Sequence, residues 1–428
     1  MIENLKTLVS YNSILDNDKL PFGSKNIEVL EKALEIGKSY GFKTKNLDNY
    51  CGYMEIGEGE ELIAVVGHLD IVPAGEGWNT NPFVLTEIDG KLYGRGTSDD
   101  KGAVAASIEA MKQIKESGIK LNKRIRLILG CNEESGSKCM EYYCKNEEMP
   151  TYGFTPDADF PCIHGEKGML HGKYFGKKTN IKNIVGGTVS NAVCAKCEIE
   201  LEELNFDVDK LVKFIKDNGL EIIIDNNKII VTGIAAHAST PEKGKNAIQY
   251  LMVGLKEAGY NDDFVNYFNE VFHLSYDGSK FGCKCSDKYG DLTFNLGVIN
   301  MIDGIIEGTI DIRFPVTKSS DEIKNMCKHN MENVIWEEWE EPLFYEENSK
   351  LVKTLYDAYV EVTKDTSLKP LVIGGGTYAK AIKNVIAFGC EFPGSDNHIH
   401  DANEFVIKEE LFKQVELYKH ALLKFLEL

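Results

Sequence analysis

Leu62-Ile63-Ala64-Val65-Val66-Gly67-His68-Leu69-Asp70 is the stretch from which the rest of the chain can be read. A short β-branched apolar run without polar alternation predicts a strand buried on both faces. It ends by presenting a histidine and a carboxylate two residues apart. In open α/β sheets, ligand sites form in the crevice beyond the carboxyl ends of the strands. An imidazole placed there is a natural metal ligand, and a carboxylate two residues on can hold its other ring nitrogen. By itself, His68-Leu69-Asp70 serves equally well as a strand-end histidine capped by an aspartate, with no metal.

Length and charge narrow the classes. A chain of 428 residues accommodates more than one domain and a large core. The formal net charge of −19 argues against nucleic acid or an anionic membrane surface as partner. No apolar run approaches the roughly 18 residues of a membrane span. Met1-Ile2-Glu3-Asn4-Leu5 lacks the basic and apolar regions of a secretory signal. The 11 cysteines, an odd number without disulfide-framework spacing, fit a reducing cytoplasm. Helix-period and buried-strand segments alternate, so the expectation is a soluble cytoplasmic protein of the α/β class.

Further along, the pattern predicts a helix over 26–40 and short strands over 42–45 and 53–56. Gly94-Arg95-Gly96-Thr97-Ser98-Asp99-Asp100-Lys101-Gly102 then enters an Ala-rich helix over 103–116. A helix N-cap accounts for one of the two aspartates, and the macrodipole favours both. A pair beside a tight glycine turn is more than a cap needs. The apolar run 124–130 reads as a second buried strand delivering Cys131-Asn132-Glu133-Glu134-Ser135-Gly136. Adjacent glutamates are ordinarily solvated charge; here they project into the crevice that holds His68. Thr155-Pro156-Asp157 repeats the scheme.

From about residue 178 the style changes. Strands over 189–201, 292–302 and 305–314, a hairpin of 221–225 with 228–234, and helices over 207–218 and 245–258 suggest a separate α+β unit. It spans 178–343, inserted into a first domain made of 1–177 and 344–428. The last segment holds a helix over 351–363, the run Gly374-Gly375-Gly376-Thr377, a strand over 384–388, and the loop Ser395-Asp396-Asn397-His398-Ile399-His400-Asp401-Ala402-Asn403-Glu404. Gly375 and Gly376 can offer backbone N–H groups to a carboxylate, or form a plain flexible turn.

His68, Asp99, Glu134, Asp157 and His400 are borderline-hard donors that suit Zn²⁺, with Mn²⁺ or Co²⁺ as alternatives. Such a set with a water fits two divalent metal ions about 3.5–4 Å apart, one carboxylate bridging them.

Together the motifs Gly67-His68-Leu69-Asp70, Gly94-Arg95-Gly96 with Asp99-Asp100-Lys101-Gly102, Glu133-Glu134-Ser135-Gly136 and His400-Asp401-Ala402-Asn403-Glu404 resemble the dinuclear zinc aminoacylase/carboxypeptidase/dipeptidase (M20) family of metallopeptidases. Pro73-Ala74-Gly75-Glu76-Gly77-Trp78 and Gly374-Gly375-Gly376-Thr377-Tyr378 look most like its bacterial dipeptidase V branch. The resemblance implies a catalytic domain with a central mixed sheet flanked by helices, plus an inserted α+β lid domain. It implies that Asp99 bridges the ions, that His68 and Asp157 complete one shell, and that Glu134 and His400 complete the other. Asp70 would orient His68, Glu133 would be the general base, and the Asp99-Asp100 peptide would be cis. His237 resembles a lid histidine that reaches the scissile carbonyl, though a His among small residues also reads as a turn. Arg313 and Asn295 resemble lid groups that bind a substrate carboxylate; an Arg in an alternating strand is otherwise its solvent face.

Cys194-Ala195-Lys196-Cys197, whose only possible partner pair is Cys283-Lys284-Cys285, looks like a metal motif but lies within an alternating strand. The implied reaction is hydrolysis of a dipeptide or very short peptide. Deacylation of an N-acyl amino acid and carboxypeptidase action are alternatives with the same chemistry. A catalytically silent binding relative would need no Glu133. The enlarged lid of the dipeptidase V branch implies a monomer.

Overall fold

Every residue of the strand Leu62–His68 is buried, because its neighbours in the sheet and the helices on both faces leave it no solvent side. The protein is known from a computed structural model that describes residues 1–176, 178–327 and 333–428. It divides into two units, Met1–Gly165 with Phe344–Leu428, and Glu166–Leu343.

In the first unit, Leu62–His68 lies between Arg124–Gly130 and Tyr152–Thr155, parallel to both. Cys51–Ile56 and Lys43–Leu47 extend the sheet antiparallel on one side. Val385–Ala387, parallel to Tyr152–Thr155, continues it on the other. The sheet is therefore mixed, as expected. His68 stands opposite Gly130 in register, so the two chains leave the sheet side by side and bring residues 69–70 against 131–134. The helix Lys101–Glu116 buries Ala103, Val104, Ala105 and Ala106; small side chains let it pack closely on the sheet and on the closing helix Lys408–Glu427.

Gly67 is fixed by that close packing. A Cβ there would lie 2.7 Å from Asp100 Oδ2 and from Val104 Cγ2. Asp100 occupies the N-cap position of the helix Lys101–Glu116, but its side chain does not cap it. Its Oδ2 accepts instead from the His68 N–H at 3.0 Å.

The second unit is an antiparallel sheet in the order Glu221–Asp225, Lys228–Thr232, Lys196–Leu201, Ile181–Gly186, Ile299–Ile302, Ile305–Phe314, Gly168–Gly176, Val334–Glu340. The helices Val208–Asp217, Ala247–Glu257 and Asp263–Val271 contribute Leu211, Ile215, Leu251, Met252, Phe264 and Phe268 to its core. The first crossing into this unit falls at Gly165, not at the expected 177, and Lys177 itself lies outside the described residues. The cause is the strand Gly168–Gly176, paired residue by residue with Ile305–Phe314. Glycines at 168, 172 and 176 stand where apolar side chains would have marked alternation. The strand expected over 189–201 begins only at Lys196, and the helix Asp263–Val271 was not anticipated.

A Cβ on Gly168 would lie 2.1 Å from the Phe314 ring. Gly168→Val, although it adds β propensity, should therefore destabilise the protein by about 1–3 kcal/mol through overpacking. A thermal melt checks this; a midpoint unchanged or raised would show that the ring yields without cost.

Candidate active site

The site grows from the carboxyl ends of the three parallel strands. Leu62–His68 ends on His68, Arg124–Gly130 leads to Glu133 and Glu134, and Tyr152–Thr155 leads to Asp157. Asp99 arrives from the turn before the helix Lys101–Glu116, joined to Asp100 by a cis peptide bond. His400 comes from a loop in which His398, His400 and Asn403 all take positive φ, a conformation that non-glycine residues hold where their surroundings dictate it. Asn403 anchors that loop, accepting from the Asn79 N–H at 2.7 Å and donating to the Gly77 carbonyl at 3.1 Å.

Asp99 is the centre. Its Oδ1 lies 2.8 Å from His68 Nε2 and its Oδ2 lies 2.9 Å from His400 Nε2. His400 Nε2 is also 3.2 Å from Glu134, and His68 Nε2 is 3.9 Å from Asp157. One donor atom from each of His68, Asp99 and Glu134 falls within 4.8 Å of the others, and the same holds for His68, Glu133 and Asp157. Glu133 thus shares one donor group with His68 and Asp157. Among the described residues no cysteine belongs to either group.

Burial pushes the Glu133 and Asp157 carboxyls well above the usual range, and neighbouring carboxylates add to it. Burial raises Glu134 as well. For Asp99 burial acts in the same direction, but hydrogen bonds with His400 and His68 outweigh it and hold the carboxyl low. The half-exposed His400 is pushed up to about 11, against burial, by Asp99 and Glu134. A field that favours a cation on the imidazole between these acids favours a divalent cation too. With N and O donors and no thiolate, the set fits Zn²⁺, Mn²⁺ or Co²⁺.

Asp70 faces His68 and the Glu133–Glu134 turn at once. His68 Nδ1 meets the Asp70 backbone carbonyl at 3.0 Å, while the Asp70 carboxylate is 3.6 Å from it. That carboxylate accepts from the Glu133 and Glu134 N–H groups at 3.0 and 3.1 Å. It holds the turn that carries Glu133 and Glu134.

Two residues with no expected role stand here. Glu404, fully buried, accepts from the N–H groups of Gly96, Ser98 and Asp99 and from Arg95 Nη1 at 2.8 Å. Tyr378 sets its ring edge-on to His68 at 6.2 Å and fills the space that makes residue 130 a glycine, where a Cβ would lie 2.0 Å from its Oη. Both sit in motifs visible in the sequence, yet their partners are distant in sequence. Gly375 is half-buried and Gly376 exposed, in the bend after the strand Leu371–Ile373.

In the second unit His237 is exposed. Arg313 is buried, its Nε and Nη2 forming a two-pronged pair with Asp311 at 2.6 and 2.8 Å. Asn295 is 1% exposed and its amide donates to the Ser190 and Ala192 carbonyls at 3.1 and 2.9 Å. It braces that segment.

Strand-end imidazoles and carboxylates so arranged define a metal-dependent hydrolase. The chain belongs to peptidase family M20/M25/M40, whose model matches residues 64–424. It is 35% identical to the "Putative dipeptidase" of Staphylococcus epidermidis, with 99% of this chain and 96% of that one covered. It is 34% identical to the "Putative dipeptidase YtjP" of Bacillus subtilis, with the same 99% and 96% covered. Its fold resembles that of human carnosine dipeptidase 1, with a TM-score of 0.60 at 17% identity, covering 100% of this chain and 96% of that chain. A tripeptidase from Staphylococcus aureus gives 0.60 at 17% identity, with 99% and 97% covered.

Glu404→Ala would leave the Arg95 guanidinium buried without its partner and open the turn that presents Asp99. Loss of one member of such a buried pair should cost about 3–5 kcal/mol. Chemical denaturation measures it, and a loss below 1 kcal/mol would remove Glu404 from this role.

Proposed function

We propose that the chain hydrolyses the peptide bond of dipeptides or very short peptides. The observation that carries this reading is Asp99, whose two carboxylate oxygens each face a different histidine, as a bridge between two cations requires. Two divalent ions, zinc by the character of the donors, supply Lewis acidity toward a carbonyl oxygen and lower the pKa of a water. His68 and Asp157 hold one position and Glu134 and His400 the other. Glu133 takes a proton onto its carboxylate from the attacking water and returns it to the leaving amine. Burial raises its carboxyl above the ordinary range, which strengthens it as a proton acceptor.

On the inserted unit, His237 stabilises the oxyanion and Arg313, oriented by Asp311, takes the substrate's terminal carboxylate. Gly375 and Gly376 supply backbone N–H groups to the same end. The chain works as a monomer, His237 serving its own chain. Among the described residues no helix is long and apolar enough to cross a membrane. The 11 cysteines are free thiols, which suits a reducing cytoplasm.

The test is a metal-reconstituted assay on dipeptides, tripeptides and N-acetyl amino acids side by side. Dipeptides should be turned over best, and Glu133→Gln should retain its metal while losing roughly 10²–10⁴-fold in kcat. Faster turnover of N-acetyl amino acids would replace the substrate reading, and near wild-type turnover by Glu133→Gln would remove the base.

Assembly is tested by mixing two inactive variants, Glu133→Gln and His237→Ala. A monomer acting within its own chain recovers no activity. Partial recovery would show sites shared between chains.

A further inference from the structure

Around His237 the second unit builds a support that the reaction itself does not explain. The peptide backbone pairs antiparallel with Ala192, through Val193 N–H to the Ala236 carbonyl at 2.8 Å and Ala238 N–H to the Asn191 carbonyl at 2.9 Å. The paired segment is itself held by the Asn295 amide on Ser190 and Ala192. Gly297 allows the approach, since a Cβ there would lie 2.3 Å from the Ser190 carbonyl oxygen. Thr240 N–H donates to the His237 carbonyl at 2.9 Å, closing a turn that folds Ser239 back onto the imidazole. The Ser239 N–H then donates to His237 Nδ1 at 3.2 Å, and Ser239 Oγ lies 2.7 Å from the same nitrogen.

A backbone N–H has no lone pair to offer and can only donate. Nδ1 is therefore an acceptor, and in the neutral ring the proton resides on Nε2. We propose that Ser239 is a positioning residue that fixes His237 as the Nε2–H tautomer, so that the ring donates from Nε2 to the oxygen gaining charge. This rests on the reading of His237 as the oxyanion group and adds what sets its polarity. With the opposite tautomer Nε2 would present a lone pair to a developing negative charge, which repels it. The hydroxyl supplies the shorter contact and the backbone N–H the unambiguous direction. A serine kept only for the turn would affect stability and leave the ring's tautomer alone.

The test uses the full-length, metal-loaded chain with ¹⁵N-labelled histidine and long-range ¹⁵N–¹H correlation spectra, His237→Gln identifying the signals of residue 237. Wild-type His237 should show the Nε2–H pattern. Ser239→Ala removes the shorter, 2.7 Å contact and leaves the 3.2 Å N–H contact to hold the ring alone, which should weaken the bias toward the Nε2–H tautomer and lower kcat on a dipeptide about three- to tenfold, the value of one lost hydrogen bond, with KM within about twofold. Ser239→Thr, which keeps the hydroxyl, should restore both. An Nδ1–H pattern in the wild type overturns the proposal whatever the variants do. So does a Ser239→Ala protein with unchanged tautomer and kcat. If His237→Gln keeps full kcat, the oxyanion reading fails on its own, and the wild-type spectrum still decides the tautomer.

Discussion

Asp70, Asp99, Asp100, Glu133, Glu134 and Asp157 crowd the ends of neighbouring strands, and like charges so placed cannot all remain ionised without compensation. The chain meets this in three ways. Backbone N–H groups are turned onto carboxylates, those of Glu133 and Glu134 onto Asp70 and those of Gly96, Ser98 and Asp99 onto Glu404. Imidazoles are set against the two oxygens of Asp99. At Glu133 and Asp157 burial outweighs the nearby His68 imidazole and raises the carboxyl's pKa. Divalent cations complete the balance, so the arrangement that makes the acids costly is the one that makes the site attractive to metal.

Much of the frame can be read in the sequence because double-sided burial leaves a plain trace. Leu62–His68 and Arg124–Gly130 hold the apolar runs 62–66 and 127–129, and both strands stop just beyond them. Once they are known to be adjacent and parallel, the residues that follow each must meet, and His68, Glu133 and Glu134 come together by register alone. The ligand candidates were legible for that reason.

The braces were not. Glu404 reaches Gly96 across 308 residues of sequence, and nothing local distinguishes it from a surface acid beside a loop. Asp70 carries two possible functions in one residue, and only the structure shows that its carbonyl takes the histidine while its carboxylate takes the turn. Asn295 reads as a polar group in a strand, and its burial against Ser190 and Ala192 is a tertiary fact. Gly168–Gly176 escaped for the opposite reason. Its inward positions at Gly168, Gly172 and Gly176 are filled by Phe314, Trp336 and Phe264 from neighbouring elements, so only Leu170 and Tyr174 mark its buried face with apolar side chains.

The interrupted first unit also sets an order of events during synthesis. The second unit is complete in one contiguous segment once Leu343 has been made, so its contacts can form while the chain is still growing. The turn that presents Asp99 has no such independence, because the carboxylate that gathers its N–H groups is Glu404. Until the ribosome has passed that residue, the acids delivered by the early strands have neither Glu404 behind them nor His400 between them. A chain cut before residue 400 would keep the contiguous second unit while the acids of the early strands lack both partners.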